Sequence, residues 1–134
     1  MELGRSATET FDRMLIVSAH GGNAGPVNRA AARLRAESRD VSVFWPRWAG
    51  DPHAGGPETA LQLVLRPGAV RMDRARPGDP RPLSELLPLL RDGGVRAVTT
   101  TGVLGDPTPA TAAEGQALLA ELTAQLVSHV DGWV

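Results

Sequence analysis

With 134 residues, the chain has length for one domain with a core and too little for two. It is 42% hydrophobic and 22% charged with a formal net charge of -1, so nothing draws it electrostatically to nucleic acid or an anionic membrane. There is no cysteine and no tyrosine, and all 14 basic residues are arginine, which excludes disulfides, thiolate nucleophiles, cysteine zinc sites, phenolic acid–base chemistry, Schiff bases and the phosphate-loop lysine. Three histidines, fifteen carboxylates and the hydroxyls remain for chemistry.

The first ten residues are polar, with no basic start followed by an apolar stretch, and no apolar run approaches the roughly 18 residues that span a bilayer. A cytoplasmic location is expected. Residues 2–11 read as a helix. Arg13 to Ser18 is then a continuous apolar run, as expected of a central parallel strand buried on both faces. It ends in His20-Gly-Gly-Asn-Ala-Gly25, a turn rich in residues that tolerate positive φ, with Pro26 expected at the first helical position. Val27, Ala30, Ala31 and Leu34 follow at helical spacing, and Val41 to Trp45 reads as a second strand. Strand, loop, helix and strand in this order predict a parallel pair with a right-handed crossover.

Residues 46–57 read as a loop flanked by Trp45 and Trp48, and residues 58–65 as a short helix with Leu61, Val64 and Leu65 on one face. Residues 66–82, rich in Arg, Pro, Gly and Asp, predict an irregular excursion. Residues 84–91 predict a helical turn despite Pro88, and residues 95–99 a short third strand. Thr111 and Glu114 have the spacing of a capping box opening a last helix. Leu118, Leu119, Leu122, Leu126, Val127 and Val130 form its apolar stripe, and Gly132 ends it. The class is α/β.

His20 lies just past the carboxyl end of the first strand, where open α/β sheets bind ligands. Read without the rest of the chain, His20 is more simply a turn histidine that caps the helix. Asn23 can hydrogen-bond a ligand or cap the helix. A phosphate site lacks the G-x-G-x-x-G spacing and an acidic residue closing the next strand. In Asp51-Pro-His53-Ala-Gly-Gly-Pro-Glu58-Thr59, His53 and Glu58 converge if Glu58 opens a helix. Imidazole and carboxylate suit a borderline divalent cation or proton transfer. Equally, Glu58 simply favours the positive end of its helix dipole. Asp106 reads as a turn residue, and His129 as a surface or helix-end histidine.

Leu15 to Asn23, Asp51 to Thr59 and Gly102 to Gly115, taken in order, resemble the creatininase (creatinine amidohydrolase) family over essentially the whole chain. The lysine-free, arginine-rich composition and the Gly-Val-Leu-Gly-Asp-Pro-Thr block lean toward the branch that acts in mycofactocin biosynthesis. The resemblance implies a three-layer α/β/α fold with a mainly parallel sheet, assembled as a homohexamer. It implies hydrolysis of a peptide or small amide C–N bond at a two-metal centre of zinc, manganese or iron. In that branch the modified C-terminal Val-Tyr unit is released from a precursor peptide.

By position, His20 and Glu58 match metal ligands of the family, His53 its proton-shuttling histidine and Asn23 a neighbour of the metals. Members also carry an early Glu-x-His…Asp segment with further ligands, for which this sequence has no match. The chain therefore corresponds to the C-terminal portion of the family fold, as a single domain over residues 1–134. It also departs from the family pattern at Ala60, usually serine, and at Pro109, usually small. Two protein ligands fall short of the three or four a stable zinc site wants. The rival expectation is a non-catalytic α/β module that binds a small ligand or a partner subunit.

Overall fold

The computed structural model describes residues 1–133. By contacts the chain divides into two compact units, one of Met1–Arg47 with residues 123–133 and one of Trp48–Leu122.

The first unit opens with helix α1 (Glu2–Thr10), strand β1 (Arg13–Val17), helix α2 (Ala24–Ala36) and strand β2 (Asp40–Phe44). β1 and β2 pair in parallel, Leu15 opposite Ser42 and Val17 opposite Phe44, as the strand–helix–strand pattern predicts. α2 seals the pair. Ala31, Leu34 and Val41 are buried together, with Met14, Ile16 and Val43 packed on them. α1 reaches the same core through Gly4, where a Cβ would stand 2.6 Å from Leu34 Cδ1. A hydrogen of glycine is what allows that approach.

Two expectations change here. β1 is not buried on both faces: Arg13 and Val17 are exposed and its three central residues half-buried, because β2 is its only partner among the described residues. Pro26 is the third residue of α2, which starts at Ala24, and the Asn23 side chain makes no capping bond. A single 3₁₀ turn over Gly21–Asn23 leads into the helix and sets its start two residues early.

The second unit carries helix α3 (Gly56–Leu65), helix α4 (Leu83–Gly93) and the first half of helix α5 (Ala112–Asp131). Pro57 sits in the first turn of α3, where its missing N–H costs nothing. The 66–82 excursion holds two isolated 3₁₀ turns. α4 runs three turns through Pro88 rather than one. The expected third strand over residues 95–99 is absent; Val95–Ala97 is a 3₁₀ turn. Gly94, at φ 67°, follows α4 directly, and among the described residues no segment pairs with 95–99.

α5 starts as the capping box predicts. Glu114 N–H donates to Thr111 Oγ1 at 3.2 Å, and Thr111 N–H to Glu114 Oε2 at 2.9 Å. Its predicted stripe is imperfect, since Val127 is exposed. In the second unit α5 comes close to α3 at Gly115, where a Cβ would overlap the Ala60 carbonyl.

Candidate functional site

His20 and Asn23 belong to the first unit, His53 and Glu58 to the second. His20 ends the segment after β1 and is exposed, at φ -105° and ψ 114°, and its carbonyl accepts the Asn23 N–H at 3.0 Å. A Cβ on Gly22 would stand 2.6 Å from His20 Nε2, so the glycine keeps room beside the ring. Asn23 is exposed.

In the second unit the predicted convergence of His53 and Glu58 occurs. Glu58 lies in the first turn of α3, and its Oε2 is 3.7 Å from His53 Nδ1. The same oxygen accepts the Ala54 N–H at 2.6 Å. Ala54 stands at φ 53°, a conformation side-chain-bearing residues rarely adopt, so the turn that brings the pair together is held against local preference.

Three segments meet behind this turn. Leu104 pairs with His53 on one side and with Asp79 on the other. Leu104 N–H donates to the His53 carbonyl at 2.9 Å, and Gly105 N–H to the Asp79 carbonyl at 2.9 Å. The backbone carrying His53 is therefore fixed from the 102–106 loop. Asp51 adds a second tie: its Oδ2 accepts the N–H of Gly56 at 3.0 Å and of Asp106 at 2.9 Å. Gly56 opens α3, whose preceding residue, Gly55, has no side chain to cap it; Asp51 supplies that acceptor instead.

The Asp106 side chain is a turn element, as expected. Its Oδ1 accepts the Thr108 N–H at 2.8 Å and the Thr108 hydroxyl at 2.6 Å, and these bonds hold its carboxyl below the usual range. A cavity of about 240 Å³ beside the start of α3 is lined by Gly56, Pro57, Ala60, Pro109, Glu114 and Leu118, among others. Ala60 and Pro109, at which the resemblance implies other residues, both line this cavity. A larger open cleft of about 640 Å³ contains none of the predicted residues; it is lined by Arg81, Arg96 and the three threonines 99–101. Arg81 is engaged by Asp79 at 2.6 Å, and that pairing holds the Asp79 carboxyl low.

The donor set is small for a metal centre. Among the described residues no three His, Asp or Glu side chains gather where they could hold an ion. A two-metal hydrolytic centre requires more donors than the His53–Glu58 pair supplies. The described residues do not by themselves fit that group.

Sequence reasoning also missed a contact of His129. Its Nε2 shares a hydrogen bond of 2.8 Å with Ser42 Oγ, and its ring lies 5.3 Å from that of Phe44. His129 lies in the last turn of α5, as the helix-end reading expects, and is half-buried, linking α5 to β2 within the first unit. The one available signal was the alternation of β2, which turns Ser42 and Phe44 to the same face.

The parallel strand pair with its crossover helix, and the His-Gly-Gly and His-to-Glu turns, describe an α/β protein of creatininase-like fold. Solved structures agree. A creatininase described with manganese matches with a TM-score of 0.72 and 20% identity, over 96% of this chain and 60% of the other. A putative creatinine amidohydrolase from Bacteroides fragilis matches with 0.72 and 20%, over 98% and 58%. At such identity they establish the fold alone. The family model for creatinine amidohydrolase matches residues 1–130, and the chain belongs to the creatininase family. A mycofactocin precursor peptide peptidase from Mycobacterium tuberculosis is 47% identical over 100% of this chain and 54% of its own length. One from Mycolicibacterium smegmatis is 41% identical over 99% and 54%. The chain spans about half the length of these curated relatives. No helix among the described residues is long and apolar enough to cross a membrane.

Proposed function

We propose that this chain is the C-terminal portion, read as one domain, of a metal-dependent amidohydrolase. Its substrate is a peptide, the mycofactocin precursor, from which it releases the modified C-terminal Val-Tyr unit. The observation that carries the reading is the 47% identity, over the full length of the chain, to a relative named for that peptide. His20 and Glu58 are two of the metal ligands in this reading. Further donors come from outside these residues, either from a longer form of the polypeptide or from a partner chain. The ion is zinc, manganese or iron, all accepted by imidazole and carboxylate; one structural neighbour is described with manganese and another as a zinc–zinc form.

The chain's own residues have definable tasks. Glu58 is held by the Ala54 N–H, which fixes one carboxylate oxygen and leaves the other to bind. His53, 3.7 Å from that carboxylate, is the group able to carry a proton to a leaving amine. Asn23, next to the His20 turn, supplies an amide for orienting a substrate carbonyl. The reading places the protein in the cytoplasm, as an oligomer of the hexameric kind the family resemblance implies, without nucleic-acid or membrane partners.

Metal content of the purified chain, measured by mass spectrometry with His20→Ala and Glu58→Ala alongside, tests the reading. Once the remaining ligands are supplied, a near-stoichiometric divalent ion, lost in both variants, and cleavage of a peptide ending in Val-Tyr are expected. Background metal in all three chains, and no cleavage, would overturn it. The alternative then stands: a non-catalytic α/β module that binds a small ligand or a partner subunit. The small donor set among the described residues favours that second reading.

A further inference from the structure

One carboxylate ties the segment that carries His53 and Glu58 to the 102–106 loop. Asp51 Oδ2 is shared by the N–H groups of Gly56 and Asp106, and 55 residues separate Asp51 from Asp106. The space around it is closed to side chains from both directions. A Cβ on Gly55 or on Gly105 would overlap Asp51, and Gly105 also stands at φ 115°, which favours glycine. Two glycines therefore admit one aspartate, whose acceptor reaches a helix start and a loop at once.

The consequence falls on His53 and Glu58, which lie on either side of the tied residues. With Gly56 fixed by Asp51 and the His53 carbonyl fixed by Leu104, the backbone between them has little freedom. That constraint accounts for Ala54 at φ 53°, and this conformation aims the Ala54 N–H at Glu58 Oε2. We infer that Asp51 is a positioning residue of the site: it holds the 53–58 turn in the conformation that sets Glu58 and His53 at their spacing. The inference rests on the proposed function for its chemical meaning and on the geometry for its content. Asp51 touches no reacting group in this scheme. It acts through the two N–H groups it accepts, and its charge is favourable beside the N-terminal end of α3.

The test is amide exchange and histidine side-chain NMR on the ¹⁵N-labelled full chain, with Asp51→Ala and Asp51→Asn. A hydrogen bond to a charged acceptor slows exchange by roughly tenfold. Asp51→Ala is expected to accelerate exchange by about that factor at Gly56 and Asp106, and also at Ala54, which Asp51 does not touch. The His53 ring signals are expected to move, while amides of Ala31 and Leu34 in α2 keep their protection. The amide oxygen of Asp51→Asn still accepts, so that variant should recover most of the protection and the His53 signals. Unchanged Ala54 exchange and His53 signals in Asp51→Ala would overturn the inference and leave Asp51 a loop fastener. Should Asp51→Ala also lose the α2 protection, Asp51→Asn decides: its neutral acceptor predicts about threefold faster exchange at the same three amides, and no increase overturns the inference. None of these readouts needs turnover. A chain that hydrolyses nothing would refute the proposed function and leave this inference to its own result.

Discussion

Gly115→Ala sets two known effects against each other. In a helix interior, alanine is favoured over glycine by up to about 1 kcal/mol, because glycine has more backbone freedom to lose. Gly115 is the fourth residue of α5, so that gain would normally be available. Here the added methyl would overlap the Ala60 carbonyl of α3 and stand 2.9 Å from Val64 Cγ2. Val64 can rotate; a carbonyl inside a neighbouring helix cannot. Overfilling a packed contact costs roughly 1–3 kcal/mol, more where backbone must shift, so the clash outweighs the propensity gain and the net loss is about 1–2 kcal/mol.

Gly25→Ala supplies the control. In α2 its nearest obstacle is Arg29 Nη1 at 3.2 Å, the far end of a flexible side chain, so only the propensity term operates. A gain of about 0.5 kcal/mol is expected. Thermal melts by circular dichroism read both changes, at about 4 °C per kcal/mol for a chain of this size. Gly115→Ala should melt several degrees below the parent chain and Gly25→Ala slightly above it. If Gly115→Ala instead melts with Gly25→Ala, α5 does not approach α3 as described. The helix that carries Glu58 would then be held by something else.

Other outcomes follow from single contacts. Glu37 is gripped by Arg5 through two hydrogen bonds, of 2.6 and 2.9 Å, and by Arg33 at 3.1 Å; chiefly the Arg5 bonds lower its pKa from 4.5 to about 2. A depressed carboxyl stabilises the fold fully above its unfolded value, and that contribution is lost as pH falls from about 4.5 toward 2. Acid titration of the melting temperature should show this loss, and Glu37→Gln should flatten it in that window; a slope equal to the parent's would refute the assignment. Leu34→Ala, at the fully buried centre of the first unit, should cost about 2–5 kcal/mol in urea unfolding, and a cost under 1 would contradict the packing. Ser42→Ala should cost about 1 kcal/mol, and His129→Ala more because the Phe44 ring contact goes with it; equal losses would show that the ring contact adds nothing. Thr111→Ala should cost roughly 0.5–2 kcal/mol, read the same way, through the lost capping box.

Local rules carried much of the architecture. A polar stretch, an apolar run, a glycine turn, an amphipathic segment and a second apolar run determine α1 to β2 and their parallel pairing, because each element's periodicity is written in neighbouring residues. The capping box placed the start of α5 for the same reason. His53 and Glu58, five residues apart, could be seen to converge once a helix was expected at Glu58. What neighbouring residues do not encode is what lies across a gap. Residues 95–99 have a strand's composition, yet a strand exists only with a partner, and among the described residues none pairs with them. β1 reads as a central strand because its side chains are apolar on both faces, whereas burial depends on neighbours it does not have among the described residues. The role of Asp51 was invisible for the same reason: its second N–H comes from Asp106, 55 residues on, and only the folded backbone brings them within 2.9 Å. His129 could be read as a helix-end histidine, but only the tertiary structure set it against Ser42 and Phe44. Short-range chemistry fixes what a segment can become, and long-range contact, which no periodicity records, decides what it touches.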